Sequence, residues 1–331
     1  GADSSLGESM VDLLTINLDG AAGLRAIPAG TVLSRWRREI GSAGVPTEQE
    51  RVLAVARGAG GRWALSGNIV ASSGILRLTA EVFQTNDGAL LGRAQVEGPA
   101  DSLGALVDRL SFQLLRSGFM GSIEGLEAPN LARVTTSSLT ALKAYLSGEQ
   151  RFRRSEPVEA MADFKRAVQA DSGFALAYYR LAVVDGWTRS PHDPTASAWD
   201  SVALQLAAHL PIREQRLIRA NAALNDGNPV ALDQLDSITT ASPQDAEAWY
   251  LLGEAEYHLG YIRYHPIDRF RVAMHRALAL DPGFGPVYLH LVDDAFYELD
   301  SARVGALLAE LGRVEPAMPK TLGLKLASAL S

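Results

Sequence analysis

The run Trp249-Tyr-Leu-Leu-Gly253, followed by the phrase Ala277-Leu-Ala-Leu-Asp-Pro282, decides the fold of the second part of this chain. Trp249 is large enough to fill the space between two helices, while Gly253 is small where two backbones must approach closely. Pro282 cannot continue a helix, so it ends the second one. The two segments therefore predict a helical hairpin. One hairpin cannot bury its own apolar face, so we expect the neighbouring sequence to repeat it.

The second half of this pattern recurs in phase along the chain. The repeat pattern places a small residue twelve positions, and a large residue eight positions, before the proline that ends the second helix. Pro316 lies one repeat length of 34 residues after Pro282, whereas Pro243 lies 39 residues before it, which indicates an insertion of about five residues around 261–267. The small and large residues are Val304 and Leu308 before Pro316, Ala231 and Leu235 before Pro243, and Ala160 and Phe164 before Ser172, with Gly148 in the upstream glycine position.

This pattern resembles the tetratricopeptide repeat (TPR), a pair of antiparallel helices that stacks into a solenoid. The resemblance covers positions 139–331 and implies an all-α, TPR-like array. The predicted helical segments are a hairpin at 139–170, a helix at 174–185, a lone helix at 196–209, a pair at 212–224 and 229–241, the hairpin around Gly253, a pair at 284–299 and 301–314, and a capping helix at 322–330.

Composition and charge limit the classes of protein to which this chain can belong. With 331 residues, the chain exceeds one ordinary core and should form about two units. The net charge of −7 argues against a general nucleic-acid binder. The absence of cysteine excludes disulfides, thiolate nucleophiles and cysteine-ligated metal sites, and favours an extracytoplasmic location. No apolar stretch reaches the ~18 residues of a membrane span, and the chain does not open with a charged and then apolar leader, so we expect any signal or anchor to lie outside the given sequence.

The first 121 residues change from helical to strand periodicity. Leu6, Met10 and Leu13 predict a first helix of about a dozen residues. Residues 23–28 have the pattern of a short buried strand. The predicted elements that follow are a helix capped by Thr31, a helix opened by the Thr47 and Glu50 capping box, three antiparallel strands at 63–70, 75–83 and 90–96 with turns at 72–74 and 85–88, and a helix capped by Asp101 with an apolar stripe from Leu103 to Leu114.

This region resembles the TolB-like amino-terminal domain of bacterial receptor-type kinases and related regulators. The matching residues are Leu6-Gly-Glu8, Gly23-Leu-Arg25, Ala56-Arg-Gly58 with Trp63-Ala-Leu-Ser-Gly67, and Leu78-Thr-Ala-Glu-Val-Phe83. The expected fold class is therefore an α+β domain, with a three-stranded antiparallel meander, followed by the TPR-like solenoid. We expect a TolB-like domain at 1–121, a linker rich in Gly, Ser, Thr and Pro at 122–138, and the repeats at 139–331.

The sequence predicts no enzyme, cofactor or metal site. His258 and His265 are seven residues apart, but Pro266 interrupts that helix. Asp293 and Asp294 are adjacent, and adjacent residues on a helix do not face each other. The glycine-rich run 58–61 follows a helix and opens a strand, which is the reverse of a phosphate-binding loop. No nucleophile elbow, Walker lysine or kinase signature is present.

The TPR resemblance instead implies a partner-binding surface on the first helix of each hairpin. Mapped by the phase of Gly253, the predicted partner-binding residues are Tyr179, Arg180, Glu247, Tyr250, Glu254, Tyr257, His258, His290, Asp293 and Tyr297. Exposed tyrosines with a few charges are typical of protein interfaces. The alternative is that several of these side chains are packed under the insertion.

Two functions fit these patterns. The first is a noncatalytic interaction or scaffold module, working outside the cytoplasm as an extrinsic subunit or docking part of a membrane-associated complex. Its partners would be protein subunits of that complex, with no nucleic acid and no bilayer-spanning segment in this chain. The second is the carboxy-terminal sensor or regulatory region of a receptor-type Ser/Thr kinase, cyclase or transcription regulator, with its output domain upstream.

Overall fold

The computed structural model describes residues 2–21, 24–40, 47–117, 135–154, 156–188 and 196–314. Most of the predicted linker, Pro316 and the predicted capping helix at 322–330 lie outside the described residues. The chain forms two compact units: residues 1–146, 166–177 and 205–215 in the first, and residues 147–165, 178–204 and 216–331 in the second. Because each unit combines segments that are far apart in the sequence, the predicted domain limits at 121 and 139 remain a prediction.

Three helices precede the sheet in the first unit: α1 (Ala2–Leu18), α2 (Ala29–Ile40) and α3 (Glu48–Gly58). The capping box of α3 is confirmed, because the Thr47 hydroxyl accepts from the backbone of Glu50 and the Glu50 carboxylate accepts from the backbone of Thr47. The predicted Thr31 cap is wrong. Helix α2 begins two residues earlier, and Thr31 is buried inside its first turn.

The predicted strand at 23–28 is also wrong for the described residues 24–28, which have no regular secondary structure. Asp19 explains the difference. Its carboxylate accepts a 2.7 Å hydrogen bond from the Ala26 backbone, and Gly20 donates to the carbonyl of Leu24. The segment thus satisfies its backbone polar groups locally, as a turn does, rather than in a sheet.

The antiparallel meander is confirmed as β1 (Trp63–Ser72), β2 (Ile75–Gln84) and β3 (Leu90–Pro99), in the order 1-2-3. Ser73 and Gly74 join β1 to β2, both with positive φ, as the tightest hairpin turns require. Helix α4 (Leu103–Arg116) packs on β2 and β3 with its predicted apolar stripe buried. Asp101 does not cap α4: it lies in a 3₁₀ turn, Ala100–Ser102, that precedes the helix.

Among the described residues, ten further helices follow the sheet and α4. They are α5 (Leu139–Arg153), α6 (Pro157–Ala170), α7 (Ala175–Thr188), α8 (Ala196–Leu206), α9 (Ile212–Asn225), α10 (Val230–Ala241), α11 (Ala246–Leu259), α12 (Asp268–Leu280), α13 (Gly285–Tyr297) and α14 (Ser301–Val314). Among the described residues, no helix combines the length and the apolar character that crossing a bilayer would require.

The phase of the predicted repeats is confirmed by where the second helices end. Helices α6, α10 and α12 each stop two residues before the position of the repeat proline, which is Ser172, Pro243 or Pro282. In the second unit α11 packs against α10 and α12, and α13 packs against α12 and α14. From α10 to α14, each helix therefore contacts its neighbours in sequence.

The repeat glycines lie where two helices touch. A Cβ on Gly148 would stand 2.5 Å from the Phe164 ring, and one on Gly253 would stand 2.8 Å from the Met274 sulfur. Gly148 precedes Phe164 by 16 residues, whereas Gly253 precedes Met274 by 21, so about five residues have been inserted between equivalent contacts. The insertion forms a 3₁₀ turn, Gly260–Arg263, in which Tyr261 is largely exposed.

Candidate functional site on helices α11 and α13

Six of the predicted partner-binding residues come together on the first helices of two successive hairpins. Their side chains form what we call the α11–α13 cluster: Glu254, Tyr257 and His258 on α11, and His290, Asp293 and Tyr297 on α13. Spacings of three and four residues place each set on one face of its helix. Asp245 fixes the start of α11 by accepting a hydrogen bond from the backbone of Ala248.

Glu254 is the centre of the cluster. One carboxylate oxygen lies 2.7 Å from Nε2 of His290, and the other lies 3.8 Å from Nε2 of His258. The Glu254 and His290 side chains are mostly buried, at 12% and 19% exposure, whereas His258 is 53% exposed. A single carboxylate thus lies between two imidazoles, one mostly buried and one open to solvent.

Aromatic rings hold the His290 ring in place. Tyr257 lies 4.8 Å from it between ring centroids, and Phe270 of α12 meets it edge to face at 6.5 Å. Tyr257 also packs on Phe270 at 5.0 Å. These contacts join all three helices around the histidine.

Burial, together with the charges of the cluster, shifts three pKa values. Burial raises the pKa of Tyr257, and the nearby acids, Asp293 foremost, raise it further. Burial lowers the pKa of His258 despite the opposing charge of Glu254. Burial also acts to lower the pKa of His290, but the charge and hydrogen bond of Glu254, with a contribution from Asp293, outweigh it and raise that pKa above its ordinary value.

The outer part of the cluster is open. Tyr297 is 82% exposed, and Asp293 and His258 are also exposed. An exposed tyrosine beside a carboxylate and an imidazole can make both apolar and hydrogen-bonding contacts with another molecule. The structure therefore leaves these three residues accessible to a partner.

The other four predicted residues lie elsewhere and are mostly inaccessible. Arg180 on α7 donates to Glu149 on α5 and to Glu247 on α11, and the Tyr179 hydroxyl donates to the same Glu247 carboxylate at 2.8 Å. The Arg180 and Glu247 side chains are 13% and 14% exposed. This network joins three helices within the second unit. Its charged side chains therefore hold helices together instead of facing a partner.

Tyr250 is part of the core. It is 1% exposed, and its ring centroid lies 4.8 Å from that of Phe284. Phe284 precedes the next hairpin and covers the tyrosine. In this conformation a partner cannot reach Tyr250, although it is Phe284, and not the insertion at 261–267, that packs against its ring. Whether any of the ten residues binds a partner stays a prediction.

Other charged residues are paired with each other rather than with the cluster. His265 does not approach His258: its Nδ1 lies 2.9 Å from the buried Glu256, which also accepts from Arg269. Asp294 is buried against Arg271, while Asp293 is exposed, so the two adjacent acids face different surroundings as predicted. The run 58–61 does connect α3 to β1 and does not open a helix.

Sequence reasoning missed the residues that complete these arrangements. Glu149 and Phe270 carry no local motif, because each meets its partners only after the chain has folded back. His290, in contrast, was predicted, because the repeat phase placed it on the same face of its helix as Asp293 and Tyr297.

Comparisons with known proteins place the chain in no family. No family model matches it, and no curated protein matches it significantly. Among solved structures, MamA residues 41 to the end from Desulfovibrio magneticus RS-1 matches with 20% identity over 54% of this chain and 96% of that chain, at a TM-score of 0.30. YrrB, described as a TPR protein with an unusual peptide-binding site, matches with 17% identity over 57% and 92%, at a TM-score of 0.31. Likenesses at this level do not define a function for this chain.

Proposed function

We propose that this chain is a noncatalytic interaction module that binds another polypeptide through the outer face of the α11–α13 cluster. The observation that carries the proposal is that Tyr297, Asp293 and His258 are all exposed and all lie beside Tyr257, on the helices where the repeat phase predicted a binding face. The surface is open and offers a large ring between polar groups, which suits contact with a peptide or protein.

The charge of the surface defines the partner's chemistry. Glu254 and Asp293 make it acidic, and the whole chain carries −7. A basic segment with an apolar or aromatic side chain beside its Lys or Arg would be attracted to the acids and could pack on Tyr297. The partner is therefore a polypeptide with a basic, partly apolar segment.

The finer proposal concerns architecture and setting. The in-phase helix ends and the repeat glycines support a TPR-like solenoid for the second part of the chain. The antiparallel meander with its covering helices is compatible with the TolB-like resemblance. A chain without cysteine suits an extracytoplasmic setting. We propose that the chain serves there as an extrinsic or docking subunit of a membrane-associated complex.

A direct binding experiment tests the surface. Affinity copurification and mass spectrometry would identify candidate partners, and each recombinant candidate would then be titrated against the full chain. The test variant combines Tyr297→Ala with Asp293→Ala, which removes the exposed ring and one acid. Val272→Ala is the matched control, since Val272 is 62% exposed on the neighbouring helix α12 and lies outside the cluster.

The expected result is binding by the wild type and the control, with the double variant weakened at least tenfold and its melting temperature unchanged. Binding that survives the double substitution would show that another surface carries the interaction. Recovery of the chain alone under gentle conditions would remove the support for a subunit.

A further inference from the structure

We propose that Glu254, His258 and His290 form a binding site for a divalent transition-metal ion such as Zn²⁺. One ligand atom from each side chain lies within 4.8 Å of the other two. Two imidazole nitrogens and a carboxylate oxygen are a ligand set that Zn²⁺ uses when a fourth position stays open. The site departs from the sequence-based expectation of no metal, which paired His258 with the wrong histidine.

The local geometry already points the ligands at one another. Glu254 and His258 are one turn apart on α11, so they lie on the same face of the helix. His290 comes from α13 and reaches the same carboxylate at 2.7 Å. Both histidines present Nε2 to Glu254, one to each oxygen. Donors around a tetrahedral Zn²⁺ are about 3.4 Å apart, so small side-chain rotations would admit the ion.

The surroundings favour a cation. The charges that act on His290 are those of Glu254 and Asp293, both acidic. Within the described residues, the Nδ1 atom of His290 has no hydrogen-bond partner, so Nε2 is the ring nitrogen that faces the acidic group. Tyr257 and Phe270 support the ring from the sides and limit its motion. A ligand held this way loses little freedom when the ion binds.

The ligand types select the ion. Imidazole suits Zn²⁺, Cu²⁺ and Ni²⁺, and affinity among divalent first-row ions rises from Mn²⁺ toward Cu²⁺. Ca²⁺ requires six to eight oxygen ligands, and Mg²⁺ also prefers oxygen. We therefore expect Zn²⁺ to bind and Ca²⁺ and Mg²⁺ not to. The exposed His258 leaves a route for entry and an open coordination position toward solvent.

The alternative is that the three side chains are only an ion-pair network that fastens α13 to α11. Such a network would need no metal and would give no response to Zn²⁺. The inference does not depend on the proposed interaction function, because an ion could bind whether or not a polypeptide does.

The experiment uses the full chain, prepared without a histidine tag and treated with a chelator. Zn²⁺ is titrated by calorimetry, and thermal unfolding is followed with and without the ion. His258→Ala is the main variant, since the side chain is exposed and its loss leaves the core intact. His275→Ala is the matched control, because His275 is an exposed histidine on the neighbouring helix α12.

We expect one Zn²⁺ per chain and a rise in melting temperature with the ion, since a ligand that binds only the folded state stabilises it. His258→Ala and His290→Gln should each weaken binding about tenfold or more, and His275→Ala should not. Bound Co²⁺ should give the intense visible absorption of a four- or five-coordinate site in the wild type and lose it in His258→Ala. No saturable Zn²⁺ binding by the wild type, or equal binding by wild type and His258→Ala, would overturn the proposal.

Discussion

Gly253 and Met274 lie so close that a Cβ on the glycine would stand 2.8 Å from the methionine sulfur. Gly148 stands in the same relationship to Phe164, with the missing Cβ 2.5 Å from the ring. The two contacts mark equivalent positions in two hairpins. They differ in one physical respect: a methionine side chain can bend away, whereas a phenylalanine ring in a packed core cannot.

Gly148→Ala should therefore destabilise the chain by about 1–3 kcal/mol, since the added methyl group overpacks the hairpin. Gly253→Ala should be milder, because the flexible end of Met274 can move. The control is Gly305→Ala on α14, where nothing lies within 4 Å of the added carbon. Gly305→Ala should stabilise by about 0.5–1 kcal/mol through helix propensity alone. Urea unfolding measures all three, and equal effects at the three positions would contradict the close-approach interpretation.

Replacement of Tyr250 should affect stability, and replacement of Tyr297 should not. Tyr250→Ala removes a ring that is 1% exposed and packs on Phe284, so we expect a loss of about 3–5 kcal/mol. Tyr297→Ala removes a ring that is 82% exposed, so its effect should stay within about 0.5 kcal/mol. Thermal unfolding of Tyr250→Ala and Tyr297→Ala measures the difference, and similar melting temperatures for the two variants would show that Tyr250 does not belong to the core.

Arg180 should be more important than an ordinary surface arginine. It donates to Glu149 and Glu247 with only 13% of its side chain exposed. Arg180→Met leaves two largely buried carboxylates without that charge, so we expect a loss of about 3–5 kcal/mol. Adding Glu149→Gln and Glu247→Gln should restore part of this loss, since the uncompensated charges are then gone. If the triple variant is no more stable than Arg180→Met, the loss comes from packing on Phe152 instead.

Glu214 should make stability depend on pH. Burial raises its pKa despite the neighbouring Arg213, so the folded state holds this proton more tightly than the unfolded state. Below the ordinary carboxyl pKa the side chain is neutral in both states and its burial costs no stability. As the pH rises through the raised pKa of the folded state, the carboxyl group ionises in its buried position and the free energy of unfolding falls. Glu214→Gln should raise the melting temperature at pH 8, and the gain should vanish toward pH 4.

The control for this prediction is Asp226→Asn, which removes one charge at an exposed position just after the same helix α9. The change in melting temperature that Asp226→Asn causes should not increase from pH 4 to pH 8 as that of Glu214→Gln does. A melting temperature at pH 8 that falls in Glu214→Gln would show that the ion pair with Arg213 outweighs the burial of the carboxylate.

The hairpins could be predicted because their determinants are local. Glycines, small residues and prolines at fixed offsets set where the helices touch and stop, as the ends of α10 and α12 show. The same holds for the Thr47 capping box and the turn at Ser73 and Gly74. The wrong predictions also have local causes. The short apolar run at 24–28 has the pattern of a strand, but the Asp19 carboxylate accepts the hydrogen bond that the Ala26 backbone would otherwise donate within a sheet.

The candidate site could be predicted only in part. Repeat phase brought Glu254 and His290 into one set, although 36 residues separate them. It could not show that Phe284 covers Tyr250, or that Arg180 meets Glu247 from 67 residues away. Such pairings depend on how successive hairpins pack, and no local pattern in the sequence encodes them.

The insertion after α11 has a practical consequence. Extra residues there leave the contact between Gly253 and Met274 equivalent to that in the shorter hairpin, and Tyr264 at its tip is 95% exposed with a φ of 57°. The chain thus lengthens at this tip while the helix register stays fixed, and loop closure costs little more as a loop grows. An epitope or a fluorophore-bearing peptide inserted beside Tyr264 should therefore be accessible at the surface and leave the packing of the helices unchanged.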